Sequence, residues 1–267
     1  MKYSQAFARI LLGVFLLSCH TELHAANLGI WPLKVIIWPE KATGSVNLTN
    51  KDDKPVNLQI SATSWDMDDN GKFIETDTGD FVFFPRMLTI PANEEKAVRV
   101  GYQGDFPALE KSYRLLIQEL PPVRKPEDLK KGQSKMGVTY IMKMSLPLFV
   151  MPGKEPPQPE LAVDGVQSAD EGLKVGIKAT GTHHVQVTKI ELELVDSAGV
   201  SVASGGNETR LLRILPQRRV FVPVALDMDA CDKAEKLLIK VYADGLTEPA
   251  EEKVDLKTGT CEPSSEG

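Results

Sequence analysis

The chain has 267 residues, is 42% hydrophobic and 25% charged, and carries a formal net charge of -6. These are ordinary values for a globular protein of one or two domains, and they leave nothing that suggests nucleic-acid binding. At the N-terminus, Lys2 and Arg9, the apolar run Ile10 to Leu17 and the small-residue stretch Leu23-His24-Ala25-Ala26 read as a secretory signal, residues 1–25, cleaved after Ala25 or Ala26. The run is too short to span a bilayer. No second long apolar segment follows, so the mature chain is expected to be soluble in the compartment to which it is exported, without membrane insertion. Cys19, in Leu16-Leu17-Ser18-Cys19, loosely matches a lipoprotein cleavage site, but the later small-residue site is the better placed. If Cys19 leaves with the signal, Cys231 and Cys261 remain as an even pair in an exported chain, and a disulfide is expected. Closing that loop would contribute at most about 3 to 4 kcal/mol.

From Ile30 the sequence is strand and turn almost throughout. Strands are predicted at Val35 to Trp38, Gly44 to Asn50, Val56 to Trp65, Phe81 to Phe84, Ala97 to Tyr102 and Tyr113 to Leu120. Turn signals such as Asp69-Asn70-Gly71 and Pro91-Ala92-Asn93 separate them at the spacing of an antiparallel sandwich. Pro121 to Lys135 is polar, proline-rich and basic, and is expected to be a loop. After it, Met136, Val138, Tyr140, Met142, Met144 and Leu146 form one uniformly apolar face of a long strand. That face is either the core face of a sandwich or a face offered to another chain. Pro147, with no N–H to donate, places the strand at a sheet edge.

Gly153 to Pro159 reads as a short stiff linker between a domain of residues 26–152 and a second of residues 160–267. In the second, Leu173/Val175/Ile177, Ile190/Leu192/Leu194, Val220/Val222/Val224 and Leu237/Ile239/Val241 alternate as strands of another small sandwich. The tail beyond Cys261 is polar.

Catalysis finds little support. Once the signal is removed the histidines are His183 and His184, adjacent and without a nucleophile motif nearby, so no enzymatic activity and no cofactor is expected. Asp66, Asp68, Asn70, Gly71 and Asp77 have the ligand spacing of a calcium loop, but the flanking residues alternate as strands, and D-D-N-G also suits a tight hairpin, so no metal site is assigned. Lys34, Arg99 and Arg114 sit among apolar residues. Each is either a surface residue, paired with an acid such as Glu110 or Glu119, or a receptor for a carboxylate.

The ordered landmarks V-N-L-T-N (Val46 to Asn50), F-F-P-R-M-L-T-I-P (Phe83 to Pro91), A-V-R-V (Ala97 to Val100), E-K-S-Y-R-L-L-I-Q-E-L-P (Glu110 to Pro121) and L-P-L-F-V-M-P resemble the periplasmic chaperones of the chaperone-usher pilus pathway, most like its non-classical or archaic branches. The resemblance implies two immunoglobulin-like sandwiches in a boomerang, a periplasmic location, and a function in fimbrium assembly: binding pilin subunits by lending them a strand and delivering them to an outer-membrane usher. By residue match, Met136, Val138, Tyr140, Met142, Met144 and Leu146 are the lent side chains. The family's two basic anchors for the subunit's C-terminal carboxylate fall at Lys34 and Pro147, so the second is lost, and Arg114 is the expected replacement. An ion pair between the family's domains matches Glu110 and Asp244, but its bridging arginine falls at Met151. Self-association of the free chain through the donor strand is left open. The competing reading is a secreted two-sandwich adhesion or carbohydrate-binding protein.

Overall fold

A computed structural model of the protein describes residues 27–121, 141–153, 158–169 and 172–256. The signal segment with Cys19, nearly all of the basic loop, Met136, Val138, Tyr140 and Cys261 lie outside the described residues.

The first half is built from two sheets. Strands β1 (Leu28–Trp31), β3 (Thr43–Asn50), β8 (Glu95–Tyr102) and β6 (Phe81–Phe84) form one, in the order β1-β3-β8-β6. The other runs β2 (Val35–Ile37), β10 (Lys143–Val150), β9 (Lys111–Glu119), β4 (Val56–Met67) and β5 (Phe73–Asp77), with β7 (Met87–Ile90) also paired to the long β4. Alternation explains how they meet. Val46 and Leu48 of β3 and Val98 and Val100 of β8 face Val56, Leu58 and Ile60 of β4, Leu115 and Ile117 of β9 and Leu148 and Val150 of β10, all buried in one core. The turn after β3 is pinned by Asn50, 1% exposed, whose Nδ2 donates to the carbonyls of Lys54 and Ile90 while its Oδ1 accepts from the Asp52 N–H.

The second half repeats the plan with β11 (Leu161–Ala169), β12 (Gly172–Ala179) and β15 (Arg219–Ala225) opposite β14 (Ser201–Ile214), β13 (Val185–Val195), β16 (Lys236–Ala243) and β17 (Ala250–Asp255). The predicted apolar alternations of all four strands line its core. In β11 the pairing slips between Val163 and Val166, where Gly165 adopts φ 95°, a conformation that residues with a Cβ avoid. A 3-10 turn, Met228–Lys233, precedes β16 and is capped by the Asp227 side chain accepting from the Asp229 N–H. Within it Cys231 is buried and disulfide-bonded.

The two sandwiches are joined by more than the linker. The tip of the β4–β5 hairpin lies against the second sandwich. The Phe221 N–H of β15 donates to the Asp69 carbonyl at 2.9 Å, and the Leu215 N–H to Met67 Sδ at 3.4 Å. Asp66 accepts from Arg218 Nε at 2.7 Å, and Asp69 pairs with Arg219 at 2.7 Å. Asp68 Oδ1 accepts from the N–H groups of Asn70 and Lys72. The acidic run is therefore a hairpin turn docked on arginines, with Asp77 set apart on β5 opposite Thr63. Its carboxylates do not converge on a common point, which removes the support that spacing alone gave to calcium.

Candidate functional site: the open edge of β10 and the cleft beside it

β10 runs antiparallel to β9 from Lys143↔Gln118 to Val150↔Lys111. Just before it, the Glu119 N–H donates to the Met142 carbonyl at 2.8 Å, so Met142 faces Glu119 in a hydrogen-bonded pair. Such pairs alternate in an antiparallel ladder. It follows that Met144, Leu146, Leu148 and Val150 exchange hydrogen bonds with β9, whereas the main chain of Lys143, Ser145, Pro147 and Phe149 turns the other way. On that side β2 pairs in parallel, but only from Val35↔Leu148 to Ile37↔Val150. Among the described residues, the main-chain groups of Lys143 and Ser145 therefore face an open edge. Pro147 stands where the cover by β2 ends, and its missing N–H is on the side that β9 does not use. The proline was read as an edge signal for this reason.

The apolar face predicted for this strand divides in two. Leu146 is 6% exposed and belongs to the first sandwich's own core, and Met144 packs partly against that core. Leu146 is thus a correction: its side chain is already in use. Met142, half-buried just ahead of the strand, continues the same alternation outward.

The opposite face of the sheet looks onto the second sandwich. Phe149 of β10 is fully buried there, stacked on His184 at 4.4 Å and tilted against Trp65 of β4 at 6.3 Å. Trp65 also meets Phe73 of β5 edge-on at 5.1 Å. Arg114 of β9 lays its guanidinium 3.7 Å above the Trp65 ring, a cation–π contact, and Arg213 of β14 stands 5.4 Å from the Phe149 ring. Burial, and after it the charge of Arg213, hold Arg114 below the ordinary guanidinium value. Burial lowers Arg213 too, opposed by Glu110.

Arg114 does not pair with Glu110 or Glu119. The carboxylate of Glu110, whose side chain is fully buried, is taken by His184 Nδ1 at 2.7 Å, by the His184 N–H at 3.3 Å and by Ser112 Oγ at 3.2 Å. The Glu110 N–H donates in turn to the Thr182 carbonyl of the second sandwich. Glu110 does link the domains, as the resemblance implied, but through a histidine. Asp244 is engaged through its main chain with Gln186, and Met151, where the bridging arginine was expected, packs in the apolar cluster. Glu110→Ala should cost about 2 to 4 kcal/mol, because it strips a mostly buried imidazole, one main-chain N–H and the Ser112 hydroxyl of their acceptor. Read as a melting temperature this is a drop of about 5 to 10 °C, with Glu110→Gln in between.

The register sets the anchor candidates in a row. Arg114 lies directly opposite Pro147 on β9, and Lys34, exposed in the bend one residue before β2, comes level with Pro147 on the other side. Their backbones are thus about two strand spacings, roughly 10 Å, apart. Among the described residues no carboxylate lies within ion-pair distance of Lys34, Arg114 or Arg213. Sequence reasoning missed Trp65, Phe149, His184 and Arg213 as members of this site. The available signal was that the apolar alternation of β4 changes phase, from Val56, Leu58 and Ile60 to Trp65 and Met67, and that every residue from Leu148 to Met151 is apolar, the marks of strands covered on two faces.

Residues 27–155 match the model of a family described as pili and flagellar-assembly chaperone, PapD N-terminal domain. No curated protein is matched in sequence. Among solved structures, the chain is similar to the CsuC–CsuE chaperone-tip adhesion subunit pre-assembly complex of the archaic Csu pili of Acinetobacter baumannii, with 20% identity, 85% of this chain and 98% of that chain covered, and a TM-score of 0.57. It is also similar to the class 5 fimbriae chaperone CfaA, with 15% identity, coverage of 86% and 100%, and a TM-score of 0.56. The Salmonella enterica SafA pilin–SafB chaperone complex gives 16% identity, coverage of 87% and 98%, and a TM-score of 0.50. These likenesses carry the two-sandwich fold across nearly the whole of each solved chain. Together with the landmarks from Val46 to Pro152, the match over residues 27–155 makes the first sandwich similar to the PapD N-terminal domain of pili and flagellar-assembly chaperones.

Proposed function

We propose that the chain is a periplasmic chaperone that binds pilin subunits by lending them the N-terminal part of β10 and the residues ahead of it, and hands them to an outer-membrane usher. The observation that carries this reading is the open edge at Lys143 to Ser145, beside a strand whose apolar alternation runs outward from the core through Met144 to Met142. A strand added there gains main-chain hydrogen bonds from the edge and burial from the side chains, each worth roughly 1.5 to 3 kcal/mol before ordering costs. Met136, Val138 and Tyr140 would extend the lent face. Lys34 and Arg114, flanking Pro147 and without an ion-paired carboxylate among the described residues, would receive the subunit's terminal carboxylate. Cys231 and Cys261 are proposed as a disulfide. The adhesion alternative has no comparable support: Trp65 is buried and covered by Arg114, and the family match lies elsewhere.

Co-expression with candidate pilins and co-purification from the periplasm tests the reading directly. A pilin recovered with the chain, and degraded or aggregated without it, is expected. With that pilin, Arg114→Ala should weaken binding about tenfold or more and Arg114→Lys should restore only part, since the fork is lost. If Arg114→Ala binds as well as wild type while Lys34→Ala abolishes binding, the anchor is Lys34 alone.

A further inference from the structure

We propose that β5 is a second strand-accepting edge, which takes an extended, basic segment of another protein by pairing along Phe73, Glu75 and Asp77. It lies at the far side of the same sheet from β10, with β9 and β4 between them, so it stays open whatever β10 holds.

The ladder shows which groups are free. The Asp68 N–H donates to the Lys72 carbonyl at 3.0 Å, so Asp68 and Lys72 face each other through a hydrogen bond. Alternation then aims the main chain of Ile74 and Thr76 at their partners Asp66 and Ser64 on β4. Phe73, Glu75 and Asp77 fall between, and their N–H and carbonyl groups turn outward, where no described strand pairs with them. The side chains are uncovered as well. Every residue of β5 is exposed, and Phe73 and Ile74, on opposite faces, each leave about half their surface in water. An edge closed to pairing is covered, bulged or polar on both faces, whereas this one offers an apolar side chain on each. Behind Ile74 and Thr76 a hollow of about 580 Å³ opens between the sandwiches, lined also by Asp77, Asp80, Lys111 and Arg218. A strand added to β5 sends every second side chain over it.

Charge selects the strand. Asp66 pairs with Arg218 and Glu110 with His184, but Glu75, Asp77 and Asp80 have no ion pair among the described residues. Glu75 and Asp80 accept from hydroxyls, those of Thr63 at 3.1 Å and Tyr113 at 2.6 Å. With Arg218 engaged, Lys111 is the one cation left in the hollow's described lining, and the acids outnumber it. Lysine or arginine opposite Glu75 and Asp77, with an apolar residue opposite Phe73, makes favourable cross-strand pairs. The β5 strand of a second copy does not: antiparallel pairing centred on Glu75 sets Glu75 against Glu75 and Phe73 against Asp77.

The test titrates the purified, isotope-labelled chain with the end-capped peptide T-K-T-K-V-F-T and its acidic analogue T-E-T-E-V-F-T at matched ionic strength, following backbone amide signals. The basic peptide should shift the Phe73, Glu75 and Asp77 signals together and saturably and slow their exchange with solvent, while the acidic peptide leaves them in place. Glu75→Pro removes the middle donor of the edge and no bond to β4, so it should melt close to wild type and bind the basic peptide about tenfold or more weakly. Reversing the edge with Glu75→Lys and Asp77→Lys together should move binding to the acidic peptide. Equal binding of the two peptides, shifts without slowed exchange at Phe73, Glu75 and Asp77, or binding to a folded Glu75→Pro within about twofold of wild type would overturn the proposal. Should Glu75→Pro melt well below wild type, the reversed edge decides, and its failure to gain the acidic peptide overturns the proposal equally.

Discussion

Replacing Phe149 with alanine should lower stability by about 3 to 5 kcal/mol and split the unfolding of the molecule into two transitions. Phe149 is on a strand that serves two cores. Its neighbours Leu148 and Val150 point into the first sandwich, whereas Phe149 itself is fully buried among Trp65, His184 and Arg213 at the junction with the second. Truncation leaves a cavity lined by rings and guanidinium groups that rigid strands hold apart, so little of it can collapse. It also removes the surface on which the His184 ring stacks while its Nδ1 holds the Glu110 carboxylate. Both sandwich interiors stay intact, and each retains its own hydrogen-bonded sheets. Urea unfolding followed by tryptophan fluorescence and by far-ultraviolet circular dichroism should therefore give coincident curves for wild type and separated ones for Phe149→Ala. Phe149→Leu, which keeps most of the volume but not the stacking, should fall between. A loss under about 1 kcal/mol with coincident curves would mean that the hairpin tip, not the aromatic junction, couples the two halves.

The alternation of side chains made most of this architecture legible. The strands around Val46, Val98, Leu115 and Val175 were visible because a half-buried strand writes its inward residues at every second position. The short strands β1, β5 and β7 were not seen, since four or five residues carry too little alternation; β5 is exposed along its whole length. Leu146 was assigned to a lent face for a related reason. One alternation runs unbroken from Met142 to Val150, and nothing in it marks where the strand's own core stops. The edge itself could be read, because Pro147 lacks a specific atom whose absence an interior strand cannot tolerate. The cleft could not. Glu110 and His184 are 74 residues apart, and Arg114 and Arg213 lie on different sandwiches, so their meeting depends on how two domains dock. Arg114 and Glu110 are close in sequence and opposite in charge, yet they do not pair. Ser112 and His184 claim the carboxylate, and Trp65 claims the guanidinium.

Ser145→Pro should abolish pilin binding while leaving the free chain's stability within about 1 kcal/mol of wild type. The ladder geometry makes the two effects separable. Met142 pairs with Glu119 through the Glu119 N–H, so two residues further Met144 also spends its N–H on β9, and Ser145 between them does not. The Ser145 N–H points instead to the open edge, in register with Pro147, where the sheet already accommodates a proline ring. A ring at 145 deletes a donor that the isolated chain does not need and places a methylene where an incoming strand would lie. For a strand held there, the lost hydrogen bond and the clash together should weaken binding at least about a hundredfold. Met144→Pro is the counterpart. It removes a ladder hydrogen bond to Ile117 and should cost about 3 kcal/mol or more of stability in the chain by itself. Melting curves and pilin co-purification on the same preparations separate the two. If Ser145→Pro melts like wild type and still carries its pilin at full strength, the added strand does not run along this edge, and borrowing through β10 fails as the mechanism.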